Sequence, residues 1–299
     1  MRRKVRNRNA SIFSRLRAVA ALLVINFVLM FVFLSVSRIY NTYRSYLQST
    51  SQTAALFCAT ASDYLDSLSD VSKYPGVISN SVVSQTFIAL ALQQKNIQSN
   101  LTFCQEFYKY CKSTIIQYPF FDNIAVYELD GNAVYVTKQK DNYYLAKSPA
   151  DAPWLQQAVE ARGGYTIIAP AMREEAGLPM LFDGKVVVTR AVFNPLKLKS
   201  VGVFVISVPV DTFEQQFDAF NAIPEQQYAL YHNGALLIGG FDESSDAQGG
   251  AGGPQRTLTT SLRLENGAFR LYSAYRFDSH TFLVIRTPLS VVMSAIFKI

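Results

Sequence analysis

Residues 119–137 read PFFDNIAVYELDGNAVYVT, and the apolar spacing of the chain changes at this point. Ile124–Leu129 is a compact run of β-branched, aromatic and aliphatic residues, and Ala133–Thr137 is a second run of the same kind. Asp130-Gly131 between them is a hairpin signal, because a tight turn of this sort needs positive φ, which Gly accepts without steric cost. Residues 119–137 are therefore read as an antiparallel hairpin, and everything before Pro119 as something else.

Upstream, the period is helical. Tyr40 to about Val71 contains no Pro or Gly, and Leu47, Leu56, Tyr64, Leu65, Leu68 and Val71 fall mostly at helical spacing. Tyr74-Pro75-Gly76 is expected to end this long helix. A second helical region runs from about Ser84 to Tyr118 with a break near Ser99, and its apolar stripe takes in Leu90, Ile97, Leu101, Phe107, Tyr108 and Ile115. Before the long helix stands AVAALLVINFVLMFVFLSVS, Ala18–Ser37, twenty residues without a charge. As a helix that length crosses a hydrocarbon core of ~30 Å. A cleaved signal peptide would have a shorter apolar run ending in small residues, whereas this one ends Val36-Ser37-Arg38-Ile39-Tyr40. It is read as an uncleaved anchor. Seven basic residues precede it and only Arg38 and Arg44 closely follow, so the N-terminus is expected in the cytoplasm and the bulk outside.

Charge excludes one function class. The chain carries +6 overall, yet seven positive charges lie in residues 1–17, leaving one net negative charge from Ala18 onward. A nucleic-acid binder would place its basicity on the folded part. The three cysteines are an odd number. Cys104 and Cys111 lie roughly 10 Å apart along one helix, beyond disulfide reach, and Cys58 is in another; free, buried thiols are expected.

Downstream of the hairpin, Pro153-Trp154 opens a short helix to Ala161, ended by Gly163-Gly164. Tyr165–Ile168 is a third strand, and Met172–Leu181 a polar loop. Lys185–Phe193 and Val201–Val208 complete a five-stranded set, followed by a helix over Asp211–Phe220. A second set comprises Tyr228–Tyr231, the Asn233-Gly234 turn, Ala235–Ile238, Thr257–Leu264, the Asn266-Gly267 turn, Phe269–Phe277 and Thr281–Arg286. Asp242–Gln255, rich in Gly, Ser and Asp, is read as a mobile loop. The fold class is α+β: cytoplasmic tail 1–17, transmembrane helix 18–37, helical segment 38–118, two antiparallel-sheet modules over 119–220 and 221–287, and the start of an exit helix over 288–299.

The layout resembles the double-Cache sensor family, whose modules are PAS-like and form extracytoplasmic ligand-sensing regions of bacterial histidine kinases, chemoreceptors and related membrane receptors. Two stretches carry the resemblance. Asp63-Tyr64-Leu65-Asp66-Ser67-Leu68 followed by Lys73-Tyr74-Pro75-Gly76-Val77 is similar to the end of that family's long helix. Pro153–Ala158, Gly163-Gly164-Tyr165, Val186–Val192 and Gly202–Val208 follow the order of its Trp-bearing helix, hairpin and closing strand. The resemblance implies a membrane-distal module (119–220), a membrane-proximal module (221–287), a homodimer through the long helix, and a sensor whose output, a histidine kinase above all, lies outside this chain.

No catalytic constellation stands out. His232 and His280 lack metal-site spacing, no Gly-x-Ser-x-Gly turn occurs, and Gly249–Gly253 is followed by Pro-Gln, not by Lys-Ser/Thr. No catalytic residue, metal ligand, cofactor or nucleic-acid partner is expected. The expected partners are the membrane and a small-molecule ligand. The resemblance places that ligand between the first sheet and the segment from about Tyr143 to Asp183. Trp154 is then either an apolar wall or core, and Tyr165 either a hydrogen-bonding wall or core. Tyr127 and Tyr135 face the site or the opposite side of their strands. Arg190 interrupts an apolar strand, where an unpaired charge is costly, so it either pairs structurally or reads an anionic ligand. Asp183 stands where amino-acid-sensing relatives put the carboxylate that holds the ligand amine. Those relatives also have a Tyr two residues earlier and an Arg just before the Trp, where this chain has Leu181 and Ala152-Pro153; an amino acid is therefore not the expected ligand. The alternative to a sensor is a membrane-tethered interaction or scaffold protein of the same fold with no small ligand.

Overall fold

The computed structural model describes residues 2–73, 85–194, 199–221, 223, 225–232, 235–239, 258–277 and 281–297. The Tyr74-Pro75-Gly76 stop, the Asn233-Gly234 turn and the Asp242–Gln255 loop lie outside them.

Helix α1 runs unbroken over Arg2–Lys73. Without Pro or Gly nothing in its sequence interrupts the hydrogen-bond ladder, and 72 residues extend about 110 Å. Its apolar stretch has a mean hydropathy of 2.8 over 18 residues, none of it buried within the chain. Beyond that stretch one stripe turns inward: Ala54, Phe57, Cys58, Ala61, Leu65 and Leu68 are buried at the i, i+3, i+4 spacing of a helix face. Leu56, expected in that stripe, is exposed instead, because it sits on the opposite side of the turn from Cys58 and Ala61. α2 (Gln85–Gln93) buries Ile88 and Leu92, and α3 (Leu101–Gln117) buries Phe103, Phe107, Tyr110, Cys111 and Ile115. Leu90 and Leu101 face solvent, which corrects the expected stripe. A 3-10 turn over Ile97–Ser99 makes the break near Ser99, and Asn100 caps α3 by accepting a hydrogen bond from the Phe103 amide at 3.0 Å. The three cysteines are free and buried.

The first sheet has six strands: β1 (Asn123–Glu128), β2 (Asn132–Thr137), β3 (Tyr143–Lys147), β4 (Tyr165–Ile168), β5 (Lys185–Phe193) and β6 (Ser200–Pro209). Their order is β3-β2-β1-β6-β5-β4, antiparallel throughout. The second sheet has β7 (Gln227–His232), β8 (Ala235–Gly239), β9 (Leu258–Glu265), β10 (Ala268–Arg276) and β11 (Thr281–Pro288), in the order β8-β7-β11-β10-β9. Apart from β3 the two sheets follow the same path: second strand, first, fifth, fourth, third. β3 corrects the expected five-stranded set. It is an edge strand with no fully buried residue, so tertiary pairing with β2 makes it a strand without an apolar alternation to announce it.

Between these strands lie α4 (Pro153–Glu160) and α5 (Arg173–Ala176), with 3-10 turns over Pro170–Met172 and Met180–Phe182, so the polar loop expected over Met172–Leu181 is mostly short helical turns. α6 (Val210–Phe220) links the sheets and α7 (Leu289–Phe297) follows the second. One continuous core joins α1, α2, α3 and α6 to one face of both sheets. Phe57, Phe217 and Tyr228 interlock there, with ring centroids 4.0–5.3 Å apart, and bind α1 to α6 and β7.

The hairpin that opened the sequence reading forms as expected, and its turn is held tightly. Gly131 has φ +89°, and a Cβ there would lie 1.8 Å from the carbonyl oxygen of Ser148. Ser148 in turn donates its amide to the Gly131 carbonyl at 2.9 Å. Gly131→Ala is expected to destabilise the protein by about 2 kcal/mol or more, through strained φ and a displaced β3 approach. Chemical denaturation of wild type and variant measures it; an unchanged midpoint would contradict this packing.

Candidate ligand-binding site

The two faces of the first sheet do different things. Residues of one parity, Ile124, Val126, Val186, Val188 and Ile206, join the core under α1. Those of the other parity, Ala125, Tyr127, Val187, Val203 and Val205, pack under α4 with Trp154, Leu155, Ala158 and Phe182. The covering layer is α4 together with residues 173–183, since β3 and β4 are strands of the sheet itself.

α4 starts on Pro153 at its first turn, where the missing N–H costs nothing. This places Trp154 directly onto the sheet. Its side chain is fully buried and meets the Tyr127 ring edge-on, centroids 4.9 Å apart at 79°. The polar atoms of this layer are the notable part. The indole N–H of Trp154, the hydroxyls of Tyr127 and Ser207, and the side-chain oxygen of Asn123 are all buried and have no hydrogen-bond partner among the described residues. Asn123 and Ser207 are cross-strand partners on β1 and β6, and Tyr127 is on the same face of β1 as Asn123. The Asn123 amide nitrogen donates to the Leu181 carbonyl at 3.3 Å, tying this corner to the cover. Burial first, and then the Tyr135 phenol, push the Tyr127 hydroxyl well above the usual tyrosine range. It stays a neutral group able to donate and accept. A buried polar group without a partner costs about 1–3 kcal/mol, so four of them in one layer form an arrangement that a hydrogen-bonding guest would stabilise.

At the edge of the cover, Asp183 is mostly exposed and pairs with the Arg173 guanidinium at 3.0 Å. Arg173 also holds Glu174 at 3.0 Å and donates to the Leu178 carbonyl. Below it, Lys185 bridges the buried Asp122 carboxylate at 2.5 Å and the Leu181 carbonyl at 2.8 Å. These contacts pin residues 173–185 over the sheet.

The five residues singled out from the sequence divide. Trp154 and Tyr127 meet under α4. Arg190 has the parity of Val186 and Val188 and turns to the α1 side, where its Nε donates to the Ser72 hydroxyl at 2.9 Å and its Nη1 to the Gly163 carbonyl at 2.6 Å. Tyr165 is its cross-strand partner, half-exposed, with the guanidinium 5.7 Å from its ring centroid. Asp183 stands at the rim. The structure thus brings Trp154 to Tyr127, and Arg190 to Tyr165, on opposite faces. Sequence reasoning passed over Asn123, Ser207 and Arg173. A signal for the first two existed, a small polar residue on the inward parity of an otherwise apolar strand.

This architecture, a long N-terminal helix carrying two antiparallel sheets of one repeated topology, is shared with solved sensory and extracellular domains. Similar solved structures include the sensory domain of the Campylobacter jejuni chemoreceptor Tlp3, at 10% identity and TM-score 0.52 over 85% of this chain and 98% of that one. The extracellular domains assigned to the histidine kinases soHK1S-Z6 (11% identity, TM-score 0.53, 86% of this chain and 98% of that one) and mmHK1S-Z2 (12%, 0.52, 84% and 99%) are similar as well. No family model and no curated protein matches the sequence.

Proposed function

We propose that this chain is the extracytoplasmic ligand-sensing region of a transmembrane signalling receptor, most simply a two-component sensor histidine kinase whose catalytic modules lie outside it, so that the chain itself is not an enzyme. α1 is anchored through Ala18–Ser37 with its N-terminus in the cytoplasm. The first sheet with its cover forms the membrane-distal module, the second sheet the membrane-proximal one. A homodimer pairs through α1, whose exposed Leu56 is available to a second copy.

The observation that carries the reading is the layer of four unpartnered polar atoms beneath α4. A small ligand site is typically apolar-walled with a few convergent polar groups. Here Trp154 supplies a donor, Asn123 an acceptor, and Tyr127 and Ser207 either role. The chemistry fits a small neutral or zwitterionic molecule with at least one donor and one acceptor. Asp183 and Arg173 lie at the rim as charges that a zwitterion would reach. The chemoreceptor Tlp3 has been solved with isoleucine and with L-valine bound, which supports a small organic ligand without fixing it here.

A signal leaves by a physical contact. Arg190 ties the turn after α4, through Gly163, to the last turn of α1, through Ser72. Closure of α4 on a ligand would bias how α1 is held.

The test is a thermal-shift screen of the detergent-solubilised chain against amino acids, small carboxylates, amines and polyols. At least one compound should raise the melting temperature in proportion to the logarithm of its concentration; no stabilising compound in any class would favour the scaffold reading. Topology is checked separately. Reporter fusions after Thr50 and after Gly240 should both report an external location, and a cytoplasmic signal from either would overturn the orientation.

A further inference from the structure

α1 crosses the second sheet in a definite direction. Its Tyr43, Arg44 and Leu47 line a cleft with Leu258 and Thr260 of β9. Tyr46 packs with Leu271 of β10 and donates its hydroxyl to Thr287 of β11 at 3.0 Å. Phe57, further on, meets Tyr228 of β7. The edge strand β9 therefore lies beside the first turns of α1 after Ser37. Tyr43 is six residues past Ser37, about 9 Å along a helix, and the polar layer of a bilayer leaflet is roughly 5–8 Å thick. β9 is thus held just outside the headgroup layer, within reach of its side chains.

Its side chains are unusual for a solvated edge. Leu262 and Leu264 share the α1-facing side of the sheet, and Phe269 of β10 is the direct partner of Leu264. Leu271, opposite Leu262, is buried by Tyr46 and Val292, but Leu262, Leu264 and Phe269 are 54%, 63% and 53% exposed. On the reverse side stand Arg263, over the Tyr272 ring at 4.7 Å, and Arg270, 3.4 Å from Glu265. An apolar edge strand left open invites pairing with another chain, and contiguous exposed apolar side chains mark a surface that something covers.

We propose that the β9–β10 hairpin seats on the membrane surface, with Leu262, Leu264 and Phe269 entering the headgroup boundary. The occupant follows from the position of the hairpin against the helix that leaves the bilayer. This proposal rests on the reading of Ala18–Ser37 as a membrane span. Seated this way, the hairpin fixes the second sheet relative to the bilayer, so that movement of α1 is measured against the membrane.

The experiment is quenching by two sets of lipids, brominated near the headgroup end of their acyl chains for the hairpin positions and near the chain end for Phe27→Trp, each in vesicles of phosphatidylcholine with a minority of phosphatidylglycerol. The full chain is reconstituted carrying Phe269→Trp, Leu264→Trp, Phe27→Trp in the span, or Leu145→Trp on β3, and the emission of the parent's single tryptophan is subtracted. The proposal expects Phe269→Trp or Leu264→Trp to lose most of its added emission, as Phe27→Trp does, while Leu145→Trp keeps it. Quenching of Phe27→Trp with both hairpin positions unquenched overturns the seating and leaves the anchor standing. Phe27→Trp unquenched overturns the anchor, and the seating with it. Equal quenching at Leu145 overturns a specific contact.

Discussion

Arg190→Met is expected to lower stability by about 2–4 kcal/mol, because it removes a buried guanidinium and leaves its acceptors without their donor. Met keeps much of the stem volume, so the loss measures polar contacts more than packing. Two of those contacts, to the Ser72 hydroxyl and the Gly163 carbonyl, join elements far apart in sequence. Chemical denaturation gives the stability change. Hydrogen exchange should quicken in the last turns of α1, while affinity for a ligand found in the screen should change little, since Arg190 is on the α1 side of the sheet. The opposite pattern, unchanged or improved stability with affinity lost, would mean that Arg190 reads an anionic ligand.

Tyr127→Phe carries the second large effect, and its sign is unusual. Removing a hydroxyl from a core ordinarily destabilises by breaking its hydrogen bond. The Tyr127 hydroxyl has no partner among the described residues, so its removal should stabilise the unliganded form by up to about 1–3 kcal/mol, the cost of an unsatisfied buried group. The same change should weaken ligand binding about tenfold, the loss of one hydrogen bond of about 1.4 kcal/mol. Thermal melts with and without ligand read both. A variant less stable without ligand, and bound as tightly with it, would contradict the site. Ser207→Ala should move both quantities in the same directions by a smaller amount, its hydroxyl being on the neighbouring strand of the same layer.

The sequence made most of the fold legible because period and punctuation agreed. The 72 residues of α1 hold no helix breaker, and the Asp130-Gly131 turn, the Trp154 helix, β5, β6 and the five strands of the second sheet stood out by alternation or by flanking Gly. What escaped did so for physical reasons. β3 is exposed along an edge, and α5 with its neighbouring 3-10 turns is too short to display a period. Leu56, Leu90 and Leu101 have the right residue type on the wrong side of their helices.

The candidate site was legible only in part. Trp154 and Tyr127 are large and conspicuous in sequence. Which face of β5 points to α4 is a matter of parity, fixed only once the strand is paired, and a shift of one residue would have sent Arg190 to the other side. Tyr165 followed Arg190 as its cross-strand partner. Asn123 and Ser207 begin or nearly end their strands, where a polar residue reads as a terminus rather than as a buried hydrogen-bonding group.

The central claim is that a small ligand lies against Trp154 beneath α4. Trp154 is the one tryptophan of the chain, so a single indole reports on it with no assignment needed. In the intact protein labelled with fluorotryptophan, a stabilising compound from the screen is titrated while the fluorine resonance is followed. The account expects that resonance to move to a new position with the same saturation curve as the rise in melting temperature. A compound that saturates the stability curve and leaves the Trp154 resonance unmoved would place the ligand elsewhere and contradict the account.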